Sequence, residues 1–407
     1  MASEFDIVIV GAGAVGGSLA YALSQAGYSV ALVEKTAVSA RQQPAFDERH
    51  LGFSRGTAVA LEGMGLWQGL SASAVPIERI HVSAKGHFGS VMMDARDEGL
   101  DALGYVLPAR EIGRVLHQSI SQQGNIRVIA PAQLLSASIE DGHARIELEH
   151  EGQPLVLHAD LLIGADGAGS RVRELFSIQT TRWTYDQSAV IANMDVVGID
   201  SSLAHERFME NGALALLPRN EQGYAIICSV IDEEADRIMA MDDDAFAGYI
   251  AQQMGGHIQQ ISTVGKRYRF PLELVRSREV VREHLALVGN AAHFIHPVAA
   301  QGFNLSMRDV SALVESLIRA RNEGRSPGSL SVLRGYADWR KQDERLMVAF
   351  TDGLIRLFIN PLLPVSILRQ KGLLALRHIQ PLRRFFTRSV TGRLGRQSNL
   401  MRGLGLQ

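Results

Sequence analysis

Residues 5–34 read FDIVIVGAGAVGGSLAYALSQAGYSVALVE, and this stretch decides the fold. The apolar run 5–10 suits a buried strand, and it stops at GAGAVGG. LAYALSQAG then shows helical spacing, and Gly27 stands where a helix ends. Residues 28–34 form a second short apolar run. The order is strand, glycine turn, helix, strand, the opening of a doubly wound α/β sheet. Gly11, Gly13 and Gly16 have the GxGxxG spacing, which permits a tight turn, a close approach to a pyrophosphate and close packing of helix on strand. Glu34 follows Gly16 by 18 residues. A carboxylate there accepts hydrogen bonds from a ribose 2′-hydroxyl and repels a 2′-phosphate, which favours FAD or NAD over NADP as the resident dinucleotide.

Working outward, residues 77–84 and 143–150 read as half-buried strands, 107–124 as a helix and 160–164 as a strand entering a glycine turn. From 188 to 231 the pattern changes to four β-rich segments separated by turn residues. A helix around 242–254 and a strand at 266–271 follow. The chain then returns to a buried strand, LALVGN (285–290), and to a long helix at 301–322. Two excursions leaving a nucleotide fold and returning to it predict a dinucleotide-binding unit from residues 1–74, 105–180 and 275–350, which the resemblance below makes FAD-binding. A β-sheet substrate unit takes 75–104 and 181–274.

Two further motifs carry chemistry. LLIGADGAGSRVR places Asp166 and Gly167 after a strand, with Ser170 and Arg173 beyond. A carboxylate there either holds hydroxyls at a crevice or caps a helix. In LALVGNAAHFIHPVAAQGFNLSMRD a strand ends at Gly289, and a helix begins near Gln301 with Gly302 in its first turn. That helix start either stabilises an anion or is a plain connection. His293 and His296 have no third ligand nearby, so no metal is expected.

The chain has 407 residues, 46% hydrophobic and 21% charged, as in a globular protein. Its one cysteine, Cys228, excludes an intrachain disulfide and fits a reducing compartment. The start, MASEFDIVIV, has an acid before its apolar run and no basic region, unlike a secretory signal. A net charge of −2 conceals segregation: residues 353–407 hold ten Arg or Lys and no acid. This tail, 351–407, mixes Leu, Ile and Phe with Arg and reads as a basic amphipathic helical region. It suits a membrane interface or partner protein, packing on the acidic body, or nucleic acid. No nucleic-acid motif supports the last.

The three motifs, in this order and spacing, resemble the aromatic hydroxylase family of single-component flavoprotein monooxygenases. FDERHLGFSRGT, ERFMENGALALLP and GNAAHFIHPVAAQGFNLSMRD resemble its ubiquinone-biosynthesis branch, in particular the 2-polyprenyl-6-methoxyphenol hydroxylases. The resemblance implies a Rossmann-like FAD-binding domain interleaved with a mixed β-sheet substrate domain, as in the para-hydroxybenzoate hydroxylase fold. It implies that Gly11, Gly13, Ala14, Val15, Gly16, Glu34 and Lys35 hold the ADP half of FAD. Arg49 and Arg110 would lie near the cofactor, and Asp166 would serve FAD and the transient NADPH. Gly289 and Asn290 occupy the position of a Gly-Asp pair, Pro297 would lie against the flavin, and Gly302, Phe303 and Asn304 would meet its pyrimidine edge. Asn290 replaces the usual acid, and Ala300 stands where many relatives have glycine. The implied reaction has NADPH, a transient co-substrate without a GxGxxG domain of its own, reduce tightly bound FAD. O2 then forms a C4a-hydroperoxyflavin, whose distal oxygen is transferred to a polyprenylated phenol. His296 is the one base suggested by position. The location implied is cytoplasmic, peripheral to the inner membrane face, with other ubiquinone-biosynthesis proteins as partners through the tail. The alternatives are hydroxylation of a small soluble aromatic and a non-catalytic flavoprotein subunit.

Overall fold

The computed structural model describes residues 3–37, 49–86, 89–197, 200–210, 212–219, 223–255, 258, 260–294, 301–359, 372, 375 and 378–406. Apolar strands buried on both faces build the first sheet. Its strands run, in spatial order, Val281–Arg282, Leu285–Leu287, Gln153–Gly164, Ser3–Val10, Val30–Val33 and Ile126–Ile129. The last five are parallel. Ile7, Val8, Ile9 and every residue of Val30–Val33 are at most 1% exposed, so both faces need a cover. Ile7, Ile9, Val30 and Leu32 face a cluster with Leu19, Leu23, Leu116, Leu313 and Tyr336. These come from the helices Ala14–Gln25, Ala109–Ser121, Gln301–Asn322 and Leu330–Ile359. Val8, Val10, Ala31 and Val33 face the hairpin Ala132–Glu140 and His143–His150 through Leu134, Ile146 and Leu148.

The β-rich middle of the chain forms a second, nine-stranded sheet, antiparallel except where Leu203–Met209 runs parallel to Arg79–Ala84. It takes in Ser90–Asp94, Thr180–Val197, Gly212–Arg219, Gly223–Ile231, Gln260–Val264, Tyr268–Ser277 and His293–Phe294. Side chains alternate across it. Val190, Ala192, Met194, Leu216, Ile226 and Cys228 pack beneath the helices Asp232–Ala240 and Asp243–Met254. Ala204, Leu217, Ala225 and Ile227 face the other way, towards Val106. Val106 belongs to a small sheet of His50–Ser54, Gly104–Pro108 and Val75–Ile77 wedged between the two large ones. The observed architecture is therefore the expected Rossmann-like sheet beside a mixed β-sheet.

The tail divides. The helix Gln380–Val390 sets Phe386 against Val82, Met93 and Phe208. Beyond it the chain folds back onto the body. The Gly56 amide donates to the Thr391 carbonyl at 3.0 Å, and the Asn399 amide to Glu315 Oε2 at 2.7 Å. Arg396 lies 3.9 Å over the Trp339 ring, and Leu400 and Met401 join the core. Phe386, Leu400 and Met401 thus pack on the body, while Leu382, Phe385 and Leu404 stay exposed. Most of 360–377 lies outside the described residues. No described helix is long and apolar enough to cross a membrane.

Candidate active site

The parallel register levels the carboxyl ends of four strands. Val10 lies opposite Val33 and Gly164, and Gly164 opposite Leu287. The segments that leave these ends carry all three motifs, so Gly11, Glu34, Asp166 and Asn290 emerge on one edge. There they line a cleft of about 580 Å³ with Gly13, Ala14, Val15, Lys35, Gln133 and Arg171. A crevice beyond the carboxyl edge, at the point where strand order reverses, is where doubly wound sheets bind dinucleotides.

The glycines are required by contact. Gly11 has φ of +105°, and a Cβ on it would lie 2.5 Å from the Ala165 carbonyl oxygen. Gly16 sits one helical turn on, where a Cβ would lie 1.9 Å from the Gly11 carbonyl oxygen. Gly13 caps the helix Ala14–Gln25 and brings no side chain to close over its first-turn amides. Glu34 braces the turn: its Oε2 accepts from the Ala12 amide at 2.8 Å, and its Oε1 from the Thr36 amide and hydroxyl at 3.1 and 3.0 Å.

Asp166 fulfils both readings of its motif. Its Oδ2 caps the short helix Arg171–Leu175, accepting from the amides of Arg171 at 2.7 Å and Val172 at 3.1 Å. Its Oδ1 is buried and has no hydrogen-bond partner among the described residues. A carboxylate oxygen left unsatisfied at the wall of this cleft is an acceptor waiting for a donor, and the hydroxyls of FAD supply donors. The residues present therefore fit FAD. Arg173 ties the second motif to the third. Its guanidinium donates to the carbonyls of Ala291 at 2.9 Å and Ala168 at 2.5 Å.

Gly289 and Asn290 lie on a single 3-10 turn. Gly289 has φ of +59°, and its amide donates to Asp309 Oδ2 at 3.0 Å. Asn290 is exposed to the cleft. His293 is committed elsewhere: its Nε2 lies 2.6 Å from the same Asp309 oxygen, in a buried set that includes Arg340, Asp343 and Arg308. Asp309 and Arg173 were not marked as site residues by the sequence, although both stand within motifs it quotes.

Other expected residues are placed apart from this cleft. Arg49 precedes the strand His50–Ser54 of the small sheet, and its carbonyl accepts from the Ala109 amide at 2.8 Å; Arg110 follows Ala109 in the first turn of the helix Ala109–Ser121. The Arg49 guanidinium lies 5.0 Å over Phe270 and borders a second cleft with Asn193, Lys266 and Tyr268. Phe303 stacks on Phe53, ring centroids 4.9 Å apart. Asn304 is a buried clamp. Its Oδ1 accepts from the Ser54 amide and the Thr57 hydroxyl, both at 2.8 Å, and its Nδ2 donates to the Gly52 carbonyl at 3.1 Å. His296, Pro297 and Ala300 lie outside the described residues, and Gly302 stands in the first turn of the helix Gln301–Asn322.

Asn304 and Phe53 also form one end of a smaller, apolar pocket of about 80 Å³. Its wall is the inward face of the second sheet: Ile80, Val82, Met93, Phe208, Ala215, Leu217 and Ile227, closed by Phe386 and Val390 of the helix Gln380–Val390. Alternation along the strands decides which residues form this wall. Ala215 and Leu217 face the pocket, whereas Leu214, Leu216 and Ile226 belong to the core behind it. Only one formally charged residue, Glu206, lies in this lining.

Comparison with known proteins agrees with this geometry. Residues 4–351 match the family model described as FAD binding domain. The chain is 31% identical to the protein named ubiquinone hydroxylase UbiL of Rhodospirillum rubrum, over 98% of this chain and 93% of that one. It is 30% identical to the 3-demethoxyubiquinol 3-hydroxylase of Escherichia coli, over 93% and 96%. Among solved structures, p-nitrophenol 4-monooxygenase PnpA from Pseudomonas putida DLL-E4 superposes with a TM-score of 0.80 at 18% identity, covering 97% of this chain and all of that one, which bears on fold alone. A glycine-gripped dinucleotide cleft, an unsatisfied Asp166 oxygen and a family match across most of its length place this chain in the FAD-binding-domain family of FAD-dependent monooxygenases.

Proposed function

We propose that this enzyme hydroxylates the aromatic ring of a polyprenylated phenol in ubiquinone biosynthesis, using NADPH and O2. The observation that carries the reading is the apolar pocket between the second sheet and the opening of the helix Gln301–Asn322, in a chain related along nearly its whole length to ubiquinone hydroxylases. Bound in the cleft, FAD would supply the activation of oxygen. The chain's own part is to hold and to exclude. Gly11, Gly13, Ala14, Val15, Gly16, Glu34 and Lys35 would hold the ADP half, and Asp166 Oδ1 would accept from a cofactor hydroxyl. Gly289, Asn290, Gly302 and the backbone of Phe303 and Asn304 would border the ring system. Phe208, Leu217 and Ile227 would exclude water from the reacting ring. The FAD-binding unit would comprise 1–74, 105–180 and 275–350, and the substrate unit 75–104 and 181–274. The purified chain, given NADPH, O2 and a short-chain prenylphenol, is expected to yield a product one oxygen heavier by mass spectrometry. A deletion strain with normal ubiquinone and no prenylphenol intermediate would remove this reading.

A peripheral membrane location rests on the helix Gln380–Val390 and its flank. Ile379, Leu382 and Phe385 are 51%, 41% and 46% exposed beside Arg383, Arg384 and Arg388. Those arginines lie 3.5 to 4.0 Å from Asp97 and Glu98, which hold the helix on the body. Apolar side chains facing outward among arginines suit an anionic lipid interface, where each cation near the surface adds about 1 kcal/mol. Truncation before Leu354 would also remove the residues that close the pocket, so surface substitution is the cleaner test. Leu382→Ser with Phe385→Ser is expected to reduce sedimentation with anionic liposomes at least about tenfold, two buried apolar side chains being worth about 3 kcal/mol or more. The flavin per chain should not change. Equal sedimentation would exclude this face as the contact.

A further inference from the structure

We infer that Glu206 is a catalytic residue that accepts the hydrogen bond, and then the proton, of the substrate's phenolic hydroxyl. The inference rests on the reading given under Proposed function and assigns it a base other than His296, which lies outside the described residues.

Glu206 lies in the strand Leu203–Met209, whose register turns Ala204, Glu206 and Phe208 to one face. Its cross-strand neighbours are Val82 and Ala215, both apolar. It lines the pocket, and among the described residues its carboxylate has no hydrogen-bond or ion-pair partner. Glu206 is half-buried and opens onto the pocket; a carboxylate set among apolar walls without a partner is disfavoured relative to water, and a donor on the pocket's occupant would relieve it.

The charged and titratable groups around it do not reach it. Arg79, His81 and Arg207 alternate to the opposite face, and Arg79 pairs with Asp200. His205 borders the pocket, but its ring packs edge-on to His81 and Tyr224. Arg207 lies 3.3 Å from Ser83 Oγ. Asp94, on the next strand, is held by Arg96. Arg219 shares the inward face farther along and pairs with Asp195 at 3.5 Å. The arginines of the closing helix are turned to Asp97 and Glu98. Burial alone therefore acts on Glu206, and it pushes the carboxyl up to about 7. A base poised there takes a proton near neutral pH and gives it back.

The step balances. The phenolic O–H bond breaks, its proton forms an O–H bond on Glu206, and the negative charge passes to the phenol oxygen and into the ring. The ring is then richer in electrons at the carbon that receives oxygen. When that carbon loses its hydrogen to water, Glu206 returns the proton to the phenol oxygen and is again a carboxylate. The oxygen atom and the two electrons are those of the monooxygenase reaction itself.

The test uses the purified FAD-loaded full chain and a phenol carrying one isoprenoid unit. In the native chain the hydroxylation rate should rise with pH to a plateau, with an inflection near 7. Glu206→Gln, which keeps the shape and removes the base, should lose the inflection and fall about 10²-fold in kcat, and Glu206→Asp should recover part of the rate. Infrared difference spectra supply a readout independent of turnover. A protonated carboxyl band should titrate out near pH 7, be absent in Glu206→Gln and shift when the phenol is added. Unchanged rate and pH profile in Glu206→Gln, or a band indifferent to the phenol, overturns the inference. A band that responds to the phenol in a chain that never hydroxylates it supports Glu206 as the phenol's partner and removes the hydroxylase reading instead.

Discussion

Gly16→Ala is expected to abolish FAD retention and to lower the melting temperature of the chain. The added Cβ would stand 1.9 Å from the Gly11 carbonyl oxygen and 3.2 Å from the Ala165 side chain. Overpacking against side chains costs about 1–3 kcal/mol because they swing away. Here the obstacle is backbone, fixed by the Gly11 amide's bond to the Val33 carbonyl at 2.8 Å and the Ala165 amide's bond to Val10 at 2.8 Å. The helix Ala14–Gln25 must therefore move off the sheet, taking with it the amides that face the cleft, and a loss of at least about 3 kcal/mol follows. Gly248→Ala is the control. It lies in the helix Asp243–Met254 with nothing within 4 Å of its added Cβ, so helix propensity should stabilise it by up to about 1 kcal/mol. Flavin absorbance per chain and thermal denaturation read both variants. A Gly16→Ala protein with full flavin and an unmoved transition would show that the helix start does not grip the dinucleotide.

The dinucleotide half of the fold was legible because its signals are local. The apolar run 5–10, the glycine spacing and the return strand sit within thirty residues, and Gly16 answers a contact with Gly11 five residues away, although Gly11 itself answers the distant Ala165. The helix Gln301–Asn322 was equally plain. The helix Leu330–Ile359 was not read, for a physical reason. Its inward positions are Val332, Leu333, Tyr336 and Trp339, and then Arg340, Asp343 and Glu344, all buried. Charges in the apolar register erase the helical periodicity on which the reading depends. Asp232–Ala240 was hidden likewise: it buries only Ala235 and Ile238 behind an acidic first turn. Glu206 carried the inverse signal, one acid in a strand position whose neighbours in the same register are Ala204 and Phe208. Alternation could have marked it, but only pairing with Arg79–Ala84 reveals that this face looks into a pocket. The tail's charge was visible; that its far end fills the core beside the helix Arg55–Gly63 depends on contacts across more than three hundred residues.

Asp309→Asn is expected to remove about 3–5 kcal/mol of stability and to change how stability depends on pH. Asp309 is buried, and it accepts from the Gly289 amide at 3.0 Å, from His293 Nε2 at 2.6 Å and from Arg340 Nε at 2.7 Å. Removing its charge leaves a buried arginine with only Asp343 and a buried histidine with only the weaker charge of Glu344, the case in which one missing partner costs most. Burial by itself would raise the Asp309 carboxyl. The positive charges of His293 and Arg340 and their hydrogen bonds outweigh it and hold the group down at about 2. Its contribution is therefore present above the ordinary carboxylate range and lost as pH falls towards 2. For His293 burial lowers the affinity for a proton, and the Asp309 charge and hydrogen bond more than restore it, leaving the histidine raised. That contribution is complete below the ordinary imidazole range and lost as pH rises through the raised value. The native chain should thus lose stability on the alkaline side as His293 gives up its proton. Asp309→Asn, with no charge to hold that proton, should lose most of this slope while melting lower at every pH. Thermal denaturation of native and variant chains between pH 5 and 9 measures both effects. A constant difference in melting temperature across that range would mean that His293 is neutral beside Asp309 and that the Gly289–Asn290 turn is held by hydrogen bonding without the ion pair.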